Sequence, residues 1–124
     1  MLLVCHLVGD FVLQTEWQAL NKYGGLGSDP NRRAALLSHV ATYLLPVLPA
    51  LVWIGHDHGA GLAILAGAII AVEHTTQDDG RLLAIYVHRV KKTDAAPGSQ
   101  LWMAVDQSLH VVWLFAIALL VSTG

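Results

Sequence analysis

Cysteine is nearly absent from this sequence, and charged residues are scarce. The 124 residues include one cysteine, Cys5, so no internal disulfide can form. Charged side chains make up 13% of the chain, whereas about 25% is usual in soluble proteins. Hydrophobic residues make up 55%, and the mean hydropathy is +0.54. A soluble bundle would need an unusually apolar core, so the composition favours a single integral membrane domain over residues 1–124.

Several common functional signatures are also missing. The seven Lys and Arg residues form no continuous basic stripe and the net charge is −2, so nucleic-acid binding has no support. The sequence has no GxxxxGK[ST], GxGxxG, GxSxG or HExxH pattern, the usual marks of nucleotide-binding proteins, serine hydrolases and zincins. No basic residue precedes the first apolar stretch, so we expect this stretch to be retained in the fold rather than removed as a secretory signal.

Four apolar segments predict an all-α fold, a four-helix transmembrane bundle made of two helix hairpins. Residues 34–54 contain no Asp, Glu, Lys or Arg and are long enough to span a bilayer. Residues 60–79, with a surface extension to residue 90, and residues 101–121 form two further predicted helices. Residues 1–20 carry several polar side chains, so this first helix either spans or enters the membrane only partway.

The basic residues predict an orientation for this four-span arrangement. All of them fall in the first and third connections, while the short link at residues 55–59 has none. Under the positive-inside rule these connections are cytoplasmic, which places both termini outside the cytoplasm in a bacterial inner membrane. The residues concerned are Lys22, Arg32, Arg33, Arg81, Arg89, Lys91 and Lys92.

Three pairs of His and Asp, each separated by four residues, interrupt the apolar segments. They are His6/Asp10, His74/Asp78 and Asp106/His110. A spacing of four places both members of a pair on one helix face. Because ionisable groups facing lipid are costly, these faces should point inward and meet in a shared polar centre.

Metal binding is the leading interpretation of that centre. Imidazole nitrogens and carboxylate oxygens are ligands for zinc and similar divalent ions, and helix bundles often build such sites from facing helices. Gln14 and Gln107 are candidate hydrogen-bonding partners of the ligands, and Glu73 is a candidate general base. The candidate ligands are His6, Asp10, His39, His74, Asp78, Asp106 and His110.

Two alternatives use the same side chains without a metal. In one, each Asp fixes a His and the network conducts ions or protons in a small transporter or channel subunit. In the other, the buried pairs only hold the helices together in a non-enzymatic structural membrane partner. A homo-oligomer or a complex with another membrane protein is expected under any of these interpretations, because four short helices bury little surface.

The order of the motifs resembles a known family. HLVGDFVLQTEW with Asn21-Lys22, SHVATY around His39, the His74–Asp78 pair and DQSLH at Asp106–His110 resemble a family of small bacterial membrane proteins catalogued as a domain of unknown function. A basic residue typically follows the third-helix Asp in that family, whereas Arg81 here comes after Asp79-Gly80. The resemblance implies a polytopic membrane fold and no established activity.

A looser similarity to bacterial membrane-bound metal-dependent hydrolases implies a function. Those proteins also place His and Asp in transmembrane helices. The leading hypothesis is a divalent-metal site, with zinc as the best match, that activates water to hydrolyse a lipid-linked or membrane-proximal substrate. Asp10, His74, Asp78, Asp106 and His110 would be the ligands, and His6 and His39 would be ligands or orienting partners. The pattern leaves open whether the protein is an enzyme.

Overall fold

Helices form nearly the whole chain in the computed structural model, which describes residues 1–124 and contains no strand. The predicted all-α fold is therefore confirmed. The elements are α1 (Leu2–Leu7), continued by a π-helical turn (Val8–Leu13), then α2 (Glu16–Asn21), α3 (Pro30–His58), α4 (Ala60–Asp78), α5 (Arg81–Val90) and α6 (Gln100–Thr123). The helix α3 packs chiefly against α4, and α6 packs against α4 and α1.

Three helices, α3, α4 and α6, are long and apolar enough to cross a membrane. Large hydrophobic side chains cover their outer faces, with Val52 73%, Ile64 72% and Phe115 64% exposed. Such a continuous apolar exterior is unfavourable in water and is typical of contact with lipid. The bundle therefore has the exterior of a membrane protein.

The first predicted helix, at residues 1–20, is not continuous. The π-helical turn ends at Leu13, and Gln14 is extended with ψ 126°. Thr15 then starts α2 through a capping box, in which its side chain accepts from Gln18 N while the Gln18 amide accepts from Thr15 N. This strong local start signal separates two short helices. Leu2–Leu13 covers about 18 Å, against about 30 Å for the hydrocarbon core, so only three of the four predicted spans have the necessary length.

The turn between α3 and α4 is tighter than the sequence predicts. Asp29 caps α3 by accepting from two backbone N–H groups, and Pro30 occupies the first turn, so the helix begins four residues earlier than expected. At the other end α3 continues through His58, and Gly59 alone joins it to α4 with φ 94°. The predicted five-residue link is thus one glycine, which suits the positive φ.

Polar side chains occupy the middle of the fold between two apolar clusters. The larger cluster joins α1, α3, α4 and α6 and includes Tyr43, Ile54, Ile70 and Ile117. The smaller one joins α5 to the start of α6. Along each long helix the buried His, Asp and Glu side chains lie between or beside these clusters. The buried polar residues are His6, Asp10, Gln18, Lys22, His39, Glu73, His74, Gln77, Asp78, Asp79, Asp106 and His110.

Candidate metal centre

Four predicted ligands meet at one point in the bundle. Asp10 comes from the π-helical turn, His39 from α3, and His74 and Asp78 from α4. His39 Nε2 lies 2.8 Å from Asp78 Oδ2 and 3.3 Å from Asp10 Oδ1. His74 Nε2 lies 3.2 Å and 3.4 Å from the same two oxygens, and 3.1 Å from His39 Nε2. All four side chains are almost completely buried.

These separations fit a tetrahedral ion. Ligand bonds of about 2.0–2.1 Å place neighbouring ligand atoms about 3.3 Å apart, close to the observed 2.8–3.4 Å. Asp10 Oδ1 makes no hydrogen bond although two imidazole nitrogens lie near it. Buried polar atoms are normally paired, so four atoms converging this way form a donor set suited to a cation. We call Asp10, His39, His74 and Asp78 the first ligand group.

The local packing explains the position of Asp10. Gly9 lies against the ring of Tyr43, which a methyl group at this position would overlap. Tyr43 in turn stacks on the His74 imidazole, with ring centroids 3.5 Å apart and planes 13° apart. The π-helical turn contains both residues, so Gly9 contacts Tyr43 while the Asp10 carboxylate points inward. Such turns occur often at functional sites.

A second cluster shares Asp78 with the first. His110 Nε2 lies 3.4 Å from Asp78 Oδ1 and 3.7 Å from Asp106 Oδ1. His110 Nδ1 donates to Glu73 Oε1 at 3.0 Å. Glu73, the predicted general base, thus lies on α4 beside His74 but reaches across to α6. Its role as a general base stays a prediction. The contact that its carboxylate makes is with the His110 imidazole.

His6 belongs to a hydrogen-bonded chain that ends on Asp10. His6 Nε2 donates to Gln107 Oε1 at 2.9 Å, and Gln107 Nε2 donates to Asp10 Oδ2 at 3.1 Å. His6 Nδ1 accepts from the Tyr43 hydroxyl at 3.2 Å. Both nitrogens of His6 therefore have partners, which suits the orienting role more than the ligand role. Gln107 takes the position expected of an outer partner.

Lys22 belongs to the centre, although the sequence interpretation does not include it among the candidate site residues. Its Nζ lies 2.9 Å from Asp78 Oδ2, and its side chain is 6% exposed. Burial alone lowers the pKa of Lys22, but the carboxylates of Asp78 and Asp10 outweigh burial and raise it, so the group is cationic at neutral pH. With its amide oriented by these neighbours, Gln14 accepts from Lys22 at 2.9 Å and donates to Asp10 O at 3.2 Å.

The location of Lys22 corrects one part of the orientation argument. The charge pattern predicts that it lies with six other basic residues in the cytoplasmic connections, yet it is buried and paired with Asp78. The available signal was its place in the first motif, HLVGDFVLQTEW with Asn21-Lys22. Six exposed basic residues remain, and their two connections touch: Gly24 N and Leu26 N donate to the backbone oxygen and side chain of Asp79.

The basic residue expected after Asp78 is displaced in space as well as in sequence. Arg81 is exposed, and its Nε lies 3.1 Å from Asp79 Oδ2 rather than near Asp78. Lys22 instead supplies the positive partner of Asp78. A lysine from the first connection therefore occupies the place that a basic residue on the third helix would be expected to fill.

The centre holds more buried carboxylates than ammonium groups. Four carboxylates, those of Asp10, Glu73, Asp78 and Asp106, are buried with one ammonium group. If all four were ionised and the imidazoles neutral, three negative charges would be uncompensated. Because uncompensated buried charge is strongly unfavourable, the centre must take up protons or cations.

Two cavities reach the centre from different surroundings. A cavity of about 650 Å³ between α4, α5 and α6 is lined mainly by apolar side chains, with Glu73 and Gln77 among its lining. Val72, Leu82 and Trp113 line it and are 47–66% exposed, so it opens on the lipid-facing exterior. A cavity of about 420 Å³ lies beside the first connection, and its lining includes Lys22 and Asp106.

Comparison with known proteins identifies the family without supplying an activity. No curated protein and no solved structure matches the chain. A family described as "Protein of unknown function (DUF3307)" matches residues 1–124, which confirms the resemblance to a family of unknown function. The similarity to metal-dependent hydrolases stays a prediction. Because the match covers the whole sequence, the chain belongs to the DUF3307 family.

Proposed function

We propose that this protein holds a divalent metal ion, with zinc as the best chemical match, inside its transmembrane bundle. The observation that carries the proposal is the first ligand group. Two imidazole nitrogens and two carboxylate oxygens converge there, with nitrogen–oxygen separations of 2.8–3.4 Å. All four side chains are almost completely buried. The excess of buried carboxylates in the centre supports the same conclusion, because a divalent cation offsets most of their charge.

We further propose that the centre hydrolyses a lipid-linked or membrane-proximal substrate. A divalent ion in the centre would supply Lewis-acid chemistry, and an ion with an open coordination position would increase the acidity of bound water. The two cavities support this substrate class. The apolar cavity suits a lipid chain, whereas the cavity beside Lys22 and Asp106 suits a polar head group.

Metal content and chelation test the metal site. The detergent-purified chain is loaded with zinc, desalted and analysed for metal and for thermal unfolding before and after chelation. We expect bound zinc and a lower unfolding temperature after chelation, because an ion bound only by the folded state stabilises it. His39→Gln should lose zinc, whereas the matched control His88→Gln should retain it because His88 is exposed. A chain that binds no zinc and whose unfolding temperature does not change on chelation would contradict the proposal.

Hydrolysis is tested separately with defined vesicles. The zinc-loaded chain is reconstituted in phosphatidylethanolamine and phosphatidylglycerol, and released fatty acid and phosphate-containing head groups are measured by mass spectrometry. We expect product that disappears in Asp10→Asn and persists in Asp57→Asn, whose side chain is exposed in the wild type. Stoichiometric zinc without product from any of these lipids would contradict lipid hydrolysis and leave the metal site intact.

A proton or ion pathway is a second candidate function, and the Lys22–Asp78 pair favours it. Lys22 already brings one positive charge to Asp78, and Gln14 links Lys22 to the Asp10 backbone. Such chains of ionisable groups can carry protons in membrane transporters. Proteoliposomes containing a pH-sensitive dye provide the test: flux that requires Lys22 and persists after chelation would favour this function over the metal centre.

We also propose that the end bearing the basic connections faces the cytoplasm. Six exposed basic residues lie at this end, and the α3–α4 turn at the opposite end has none. The positive-inside rule therefore supports a cytoplasmic first connection and an outward-facing Gly59 turn in a bacterial inner membrane.

A further inference from the structure

Three buried atoms beside the first ligand group lack hydrogen-bond partners. They are Asp78 Oδ1, Asp106 Oδ1 and His110 Nε2. All three lie within 4.8 Å of one another, and His110 is 1% exposed. Buried polar atoms rarely remain unpaired, and here three of them point at the same space.

Glu73 determines which ring nitrogen of His110 carries the proton. His110 Nδ1 donates to Glu73 Oε1 at 3.0 Å, so in the neutral imidazole Nε2 has a free lone pair. That lone pair faces two carboxylate oxygens, those of Asp78 and Asp106, at 3.4 Å and 3.7 Å. Three electron-rich atoms repel one another unless a metal cation or a proton lies between them. A carboxylate that accepts from the far nitrogen of an imidazole is also a common way to orient a metal-binding His.

We propose that Asp78 bridges two divalent cations. This inference rests on the proposed metal at the first ligand group, which uses Asp78 Oδ2. Asp78 Oδ1, Asp106 Oδ1 and His110 Nε2 would bind a second ion. Lys22 contacts Oδ2, so it leaves Oδ1 free for this purpose.

The second position suits the ion that meets the substrate. It has three protein ligands, and a divalent ion with three protein ligands keeps a coordination position for water or substrate. Asp106 also lines the cavity of about 420 Å³, which connects this position with the polar surface. Paired ions bridged by a carboxylate are common in enzymes that cleave phosphate esters and peptides, so substrates with such bonds are the expected class.

Counting ions separates the first site from the second. The chain is titrated with ZnCl₂ in detergent, desalted and analysed for metal per chain. We expect two zinc ions in the wild type and one in Asp106→Asn, with two retained in the control Ser108→Ala, whose side chain is exposed on the same helix. Glu73→Gln should weaken the second ion by about 10–100-fold and leave the first unchanged.

The outcomes distinguish failure of this inference from failure of the proposed function. One ion in the wild type and one in Asp106→Asn would overturn the second site and keep the first. No ion in the wild type would overturn both, with His110 then protonated on both nitrogens. Because Asp106→Asn could fail to fold, electron paramagnetic resonance of the Mn²⁺-loaded wild type provides an independent measurement: a spin-coupled pair is expected, and isolated Mn²⁺ alone would overturn the bridge.

Discussion

Lys22 Nζ and Asp78 Oδ2 form a buried ion pair at 2.9 Å that joins the first connection to the end of α4. Asp78 is completely buried, and its carboxylate also contacts His39, His74 and His110. The pair therefore connects the surface loop with the centre of the bundle. Its two residues are 56 positions apart in the sequence, so the ion pair forms only in the folded chain.

Removing the ammonium should destabilise the protein. Lys22→Met leaves Asp78 buried without its cation, and breaking a buried pair typically costs about 3–5 kcal/mol. Thermal and denaturant unfolding in detergent would measure the loss. Lys91→Met is the matched control and should change stability little, because Lys91 is exposed. The double variant Lys22→Met/Asp78→Asn should lose less than Lys22→Met in the metal-free protein; an equal or greater loss would contradict the pairing.

Gly9 should be intolerant of a methyl group. In Gly9→Ala the new Cβ would overlap the ring of Tyr43, which stacks on His74. We expect destabilisation of about 1–3 kcal/mol from overpacking and weaker zinc binding from the displaced imidazole. Gly61→Ala is the control, because nothing lies within 4 Å of an added Cβ there. Equal unfolding temperatures for the two variants would show that the Gly9–Tyr43 contact does not constrain the site.

Gln107 should control metal affinity without being a ligand. Gln107→Leu breaks the chain from His6 to Asp10, so Asp10 loses a donor that orients its carboxylate. We expect zinc affinity to fall by about 10–100-fold while the number of bound ions at saturation stays the same. Competition with a chromophoric chelator measures the affinity. Gln100→Leu, at an exposed position of the same helix, should bind zinc as the wild type does.

Gly80 provides a test of the junction between α4 and α5. Its φ is 79°, and an added Cβ would lie 2.9 Å from Tyr23 and 3.2 Å from Trp102. Gly98 has φ 85° but open space around it. In both Ala variants, backbone strain should lower the free energy of unfolding by about 1–2 kcal/mol. The decrease should be larger for Gly80→Ala, because Tyr23 or Trp102 must also shift. Equal losses in denaturant unfolding would contradict tight packing at this junction.

Labelling of single cysteines tests the proposed orientation. In a Cys5→Ser background, His58→Cys marks the α3–α4 turn and Lys92→Cys marks the basic end. An impermeant maleimide should label His58→Cys in right-side-out vesicles and Lys92→Cys in inverted vesicles. The opposite pattern would reverse the orientation, because the two positions lie at opposite ends of the bundle.

Much of the helical fold follows from local sequence. Long apolar runs predict α3, α4 and α6 within a few residues of their observed ends, since helix length in a membrane depends on hydrophobicity and on end signals such as Asp29. The first helix was less predictable. Thr15 and Gln18 supply a local start signal inside residues 1–20, and this capping box prevails over the continuous apolar pattern.

Spacing and the cost of charge in lipid require His and Asp side chains to face inward on three helices, so this feature can be read from the sequence. The packing of the helices sets which atoms meet. It placed Lys22 on Asp78 and turned Glu73 toward His110, because these contacts join residues 56 and 37 positions apart. No local pattern encodes such contacts. They depend on how the helices pack and on which buried charges then need partners.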